Sequence, residues 1–93
     1  MKSILQDEKQ CFQTHRTDGL KEHHIYFGNG LREISEKNGF KVWLSSDWHQ
    51  DHRIGVHHNR EFDLYLKRKC QEKYEETHSR DEFMKLIGTN YIW

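Results

Sequence analysis

The chain has 93 residues, 33% hydrophobic and 32% charged, with 15 Lys and Arg against 15 Asp and Glu and no proline. That length argues against two domains, and no window comes near the roughly 18 consecutive apolar residues that a membrane span requires. A net charge of zero removes any global attraction to phosphate, so an anionic partner must meet a local patch, a metal or protonated histidine.

The core has to be aromatic. The sequence contains no alanine but three Trp, four Tyr and five Phe, each of which buries a large area with one side chain. Residues 1–8 lack the apolar stretch of a secretory signal, so the chain is read as cytoplasmic and Cys11 and Cys70 as reduced thiols.

Residues 1–10 are polar and without period, and are expected to form a loosely held N-terminal arm ahead of one domain over residues 11–93. Residues 11–18, followed by Gly19, read as a tight loop. Residues 20–27, with β-branched and aromatic side chains at their end, read as a strand that carries His23 and His24. Gly28, Asn29 and Gly30 break it in the manner of a turn needing positive φ. A helix follows over residues 31–38, with Leu31 and Ile34 inward, Arg32, Glu33, Glu36 and Lys37 around them, and Asn38-Gly39 as a left-handed stop. Phe40, Val42 and Leu44 then alternate with Lys41 and Trp43, the period of a half-buried strand.

Ser45, Ser46 and Asp47 offer N-caps for a short turn presenting His49. A long helix is predicted over residues 59–77, with Phe62, Leu66, Cys70 and Tyr74 on one face. Ser79 and Glu82 have capping-box spacing for a last helix through Ile87, stopped by Gly88. The apolar end at Tyr91, Ile92 and Trp93 is expected to tuck against the core, because left exposed it would be a docking surface.

Histidine is the anomaly. Six of the eight lie between positions 23 and 58, namely His23, His24, His49, His52, His57 and His58. Such clustering points to metal binding or acid–base work, since a neutral imidazole can accept a proton at cellular pH while another holds a divalent cation. Neighbours on a strand ordinarily face opposite sides, so His23 and His24 share a task only if both reach one cleft. With His49 and His57 as further nitrogen donors, three ligands and an open position would match the catalytic kind of metal site.

The order of these pieces resembles the HNH endonucleases. His23-His24 on a strand, a loop, a second strand ending at Leu44, then Ser45-Ser46-Asp47-Trp48-His49 and a further His before a helix follows their ββα-metal finger. The runs His23-His24-Ile25-Tyr26-Phe27-Gly28, Gly55-Val56-His57 and Leu64-Tyr65-Leu66-Lys67 are similar to small HNH-type proteins carried by phages and prophages of Gram-positive bacteria.

The resemblance spans residues 11–93 and implies an α+β fold. That fold is a small HNH-like ββα finger over about residues 20–60, elaborated within 59–93 by a long C-terminal helix and a short final helix. It implies metal-dependent hydrolysis of phosphodiester bonds, in DNA before RNA. His24 would be the general base, and one divalent ion (Mg, Mn, Ni or Zn) would be held by His23, His49 and His57. Asn38 is the candidate for the family's loop-supporting Asn, and Arg16, Lys21, Arg53 and Arg60 lie close enough in sequence to contact phosphates.

The chain departs from the family at three places, the first being the family's Asn, which has no clean match here and for which Asn38 is the nearest candidate. A structural zinc in the family would need cysteines near positions 11, 14, 45 and 48, where this chain has Cys11, Thr14, Ser45 and Trp48, so none is expected. His49 and His57 are also further apart than one helical turn. The competing reading is a catalytically silent HNH-derived protein that binds a host nuclease or recombination protein, or nucleic acid. Either a monomer or a homodimer is compatible with the sequence.

Overall fold

A computed structural model describes residues 2–50 and 59–92 of the chain. Leu20–His24 (β1) and Lys41–Ser45 (β2) pair antiparallel, in a register running from Leu20 opposite Ser45 to His24 opposite Lys41. The helix Leu31–Asn38 (α1) makes the connection between them. Its entry needs three successive left-handed residues, Gly28, Asn29 and Gly30, at φ 79°, 44° and 84°. Its exit is Gly39 at φ 73°, whose N–H donates to the Ser35 carbonyl.

Ser46–Gln50 (α2) follows β2 without a break. Arg60–Tyr74 (α3) is capped by Asn59, whose side chain accepts from the Phe62 amide. Arg80–Ile87 (α4) opens on the Ser79/Glu82 capping box and ends at Gly88. Two antiparallel strands and these helices make an α+β fold among the described residues.

The core is a set of aromatic rings held edge to face. Tyr26 meets Phe40 at 5.4 Å and Phe83 at 5.5 Å, and Phe40 meets Tyr74 at 5.5 Å. Val42 and Leu44 from β2, with Leu66 and Cys70 from α3, close around them. Such ring pairs add about 0.5–1.5 kcal/mol each beyond the area they bury. Cys11 and Cys70 are both buried free thiols. Among the described residues no helix is long and apolar enough to cross a membrane.

Three expectations about local structure change. The first strand stops at His24 instead of residue 27, because after Ile25, whose N still donates to Phe40 O at 2.9 Å, the chain turns to α1: Tyr26 N donates to Ser35 Oγ at 3.1 Å, and that hydroxyl donates back to Tyr26 O at 2.7 Å. The long helix stops at Tyr74 instead of 77, where the ring of His78 stacks on that of Tyr74 at 4.0 Å.

The N-terminal arm is not loose. Gln6 Oε1 accepts from Trp43 N at 2.7 Å, Phe12 N donates to Trp43 O at 2.8 Å, and Ile4 N donates to Gly39 O at 3.0 Å. The arm and the loop that follows it thus satisfy the open edge of β2 at Trp43, whose backbone groups would otherwise face water. At the other end Tyr91 N donates to Gln71 Oε1 at 2.7 Å, and the Tyr91 ring lies 5.8 Å from Tyr26, so the described tail does pack on the core.

Candidate functional site

Alternation along β1 puts His23 on the buried side with Val42, at 2% exposure, and His24 on the opposite side with Lys41. Both nevertheless border one cleft of about 280 Å³, together with Glu22, Phe27, Arg32 and His49. They can do so because they end the strand, at the point where the chain leaves the sheet for the glycine turn. α2 supplies His49, whose ring stands edge to face with that of His23 at 5.3 Å. The Phe27 ring meets His23 at 6.0 Å. His23 Nε2 and His49 Nδ1 are buried ring nitrogens.

Around His24 the chemistry is ionic. Its Nε2 lies 3.6 Å from Glu36 Oε1 and 3.9 Å from Glu22 Oε1. The Lys41 ammonium is 3.2 Å from Glu22 Oε1 and also contacts Glu36 Oε2. Burial opposes the Lys41 charge, but hydrogen bonds to Glu36 and Glu22 outweigh it and hold the ammonium above its ordinary pKa. The Glu36 carboxyl is held below its ordinary value, chiefly by the hydrogen bond from Lys41.

Two donor sets could hold a cation. Carboxylate and imidazole atoms of Glu22, His24 and Glu36 lie within 4.8 Å of one another. An ammonium already supplies the positive charge between those carboxylates, so a metal there would have to displace Lys41. His23 and His49 form the other set, two neighbouring imidazoles of the kind that suits Zn²⁺ or Ni²⁺, with Glu22 bordering the same cleft. His57, the third expected ligand, lies outside the described residues, as does Arg53.

The remaining expected residues stand apart from this cleft. Arg16 is exposed, paired with Asp18 at 3.2 Å, and borders a separate hollow with Gly19, Ser45 and Ser46. Lys21 is exposed on β1, and Arg60 is exposed at the start of α3 with Nη1 3.4 Å from Asp63 Oδ2. Asn38 donates from Nδ2 to the Ile34 carbonyl at 2.8 Å and borders a hollow with Ile4, Tyr74 and His78. Its amide therefore closes the end of α1 and does not reach the histidines.

Glu22, Phe27 and Arg32 border the cleft without having been singled out from sequence. Glu22 had a signal, since it lies two residues before His24 on one strand face. Arg32 had none, being one charge among several on a solvated helix surface.

Three of the four positions at which the HNH family places zinc cysteines do come together. Cys11 Sγ donates to Ser45 Oγ at 3.6 Å. Burial pushes this thiol up, but hydrogen bonds from Thr14 and from the side chain and backbone of Ser45 bring it from 9.0 down to about 7. Trp48 turns instead to Phe62, with ring centres 5.0 Å apart. A hydrogen-bonded thiol thus closes this corner of the fold.

Comparison with known proteins finds no family model, no curated protein and no solved structure that matches the chain.

Proposed function

We propose that this chain is a metal-dependent endonuclease of the HNH type, built on a ββα finger formed by β1, β2 and the helical segment after β2, and that it hydrolyses phosphodiester bonds in DNA. The observation that carries the reading is that His23, His24 and His49 border a single cleft, although strand alternation alone would separate the first two. His23 and His49 hold the divalent cation, with His57 as the third ligand. The bound ion supplies Lewis-acid stabilisation of the charge that grows on the phosphate and on the leaving 3′ oxygen.

His24 is the general base. Glu22 and Glu36 face its Nε2 and orient the ring, as carboxylates do for catalytic imidazoles. With the ring proton directed to that side, Nδ1 carries the lone pair that takes a proton from the attacking water. Lys41 pairs with both carboxylates, so the imidazole is not spent as their counter-ion.

The test is nicking of supercoiled DNA by the purified chain with Mg²⁺, Mn²⁺, Ni²⁺ or Zn²⁺, beside a chelator control. Metal-dependent nicks that carry 5′-phosphate and 3′-hydroxyl ends support the reading. A folded, metal-loaded protein that cuts with none of the four sinks it as an autonomous nuclease and leaves the binding-protein reading to be tested by partner capture.

A further inference from the structure

We infer that Arg32 is the residue that grips substrate phosphate in the histidine cleft. The inference rests on the endonuclease reading and adds the group that would position the scissile strand.

Arg32 stands in the first turn of α1, immediately after the left-handed turn at residues 28–30, so its backbone is fixed by the same device that ends β1 at the histidines. It is exposed and borders the cleft shared by His23, His24 and His49. It also borders an adjoining hollow with His24, Glu33 and Glu36, and so spans both sides of the proposed base.

Lys21 and Arg68 are also without an ion pair among the described residues, but Arg32 is the uncommitted cation that borders the cleft. Arg16 is paired with Asp18, Arg60 and Lys67 with Asp63, and Lys41 with Glu22 and Glu36. Arg32 forms no ion pair among the described residues, and the nearby Glu36 carboxylate is already engaged by Lys41. An incoming phosphate therefore breaks no existing pair to reach it.

The side-chain type fits the task. A guanidinium is charged at every physiological pH, and its planar fork matches two non-bridging phosphate oxygens, which an ammonium cannot do. Glu22 in the same cleft repels an anion, so a cation fixed at the rim decides which side of the cleft the phosphate takes.

The experiment is binding of a fluorescently labelled DNA duplex to the full chain in chelator across a KCl series, with cleavage kinetics measured in parallel. Arg32→Ala should weaken binding about tenfold at low salt, the effect of one charge-assisted hydrogen-bonded contact. It should also reduce the slope of log K against log salt by about 0.9, one phosphate contact. In cleavage KM should rise more than kcat falls, and Arg32→Lys should restore the slope but not the full affinity. Wild type that binds and cuts while Arg32→Ala matches it in slope and KM overturns the assignment to Arg32 and leaves the nuclease standing. Wild type that neither binds nor cuts overturns both.

Discussion

The imidazole of His49 meets that of His23 edge to face at 5.3 Å, although β2 ends at Ser45, opposite Leu20 and thus at the far end of β1 from His24. α2 must therefore fold back along the sheet face that buries His23. That reversal is what makes one site from a strand histidine and a helix histidine. It predicts that His23→Ala and His49→Ala each weaken Ni²⁺ or Zn²⁺ binding by roughly tenfold or more, whereas His24→Ala leaves it nearly unchanged. Isothermal titration separates the cases, and a loss in His24→Ala alone, with His23→Ala and His49→Ala unchanged, would place the metal at Glu22, His24 and Glu36 instead.

Lys41 is 5% exposed and stands between two carboxylates. Lys41→Met should lower stability by about 1–3 kcal/mol, because the half-buried Glu22 loses its counter-ion. The same variant should gain affinity for divalent cations at Glu22, His24 and Glu36, since the competing ammonium is gone. A urea titration with and without Mn²⁺ reads both effects, and an unchanged midpoint would mean that the pair contributes nothing.

Ser35 holds the chain where β1 ends. Its buried hydroxyl accepts from Tyr26 N and donates to Tyr26 O, and Ser35→Ala leaves that amide without its partner. The expected cost is about 1–3 kcal/mol. Hydrogen exchange should show the Tyr26 amide losing protection before the strand amides do. A variant as stable as wild type, with Tyr26 still protected, would contradict this role.

Local chemistry made much of the fold legible. The positive-φ turn at residues 28–30, the bounds of α1 and the capping box of α4 follow from glycine, asparagine, serine and glutamate acting on their immediate neighbours. The early end of α3 has a near neighbour behind it, His78 on Tyr74, but the other two errors involve a partner distant in sequence. β1 yields to Ser35, and the arm lies on the open edge of Trp43, neither of which a periodicity can reveal. The same division holds for the site. Histidine clustering drew attention to His23, His24 and His49, but Arg32 acquires meaning only once α1 is folded beside them.

Cys11 and Cys70 should titrate far apart. Burial pushes the Cys70 thiol up to about 12, whereas Cys11, for all its burial, is brought down to about 7 by Thr14 and Ser45. Because the folded state favours the Cys11 thiolate, its contribution to stability is complete above the ordinary value of 9.0 and is lost as pH falls through about 7. The urea midpoint should therefore rise between those limits, and Cys11→Ser should flatten the rise. Thiolate absorbance with a single midpoint near 9 would contradict it.

The most direct test of the account is single-turnover cleavage of a DNA duplex by wild type and by His24→Ala, both folded and both loaded with the metal that supports nicking. If His24 is the base and His23 and His49 are the ligands, the variant keeps its metal and its DNA affinity while the cleavage rate falls by about 10²–10⁴-fold. A variant that cuts as fast as wild type would show that the proton leaves the water by another route, and that His24 is not the base.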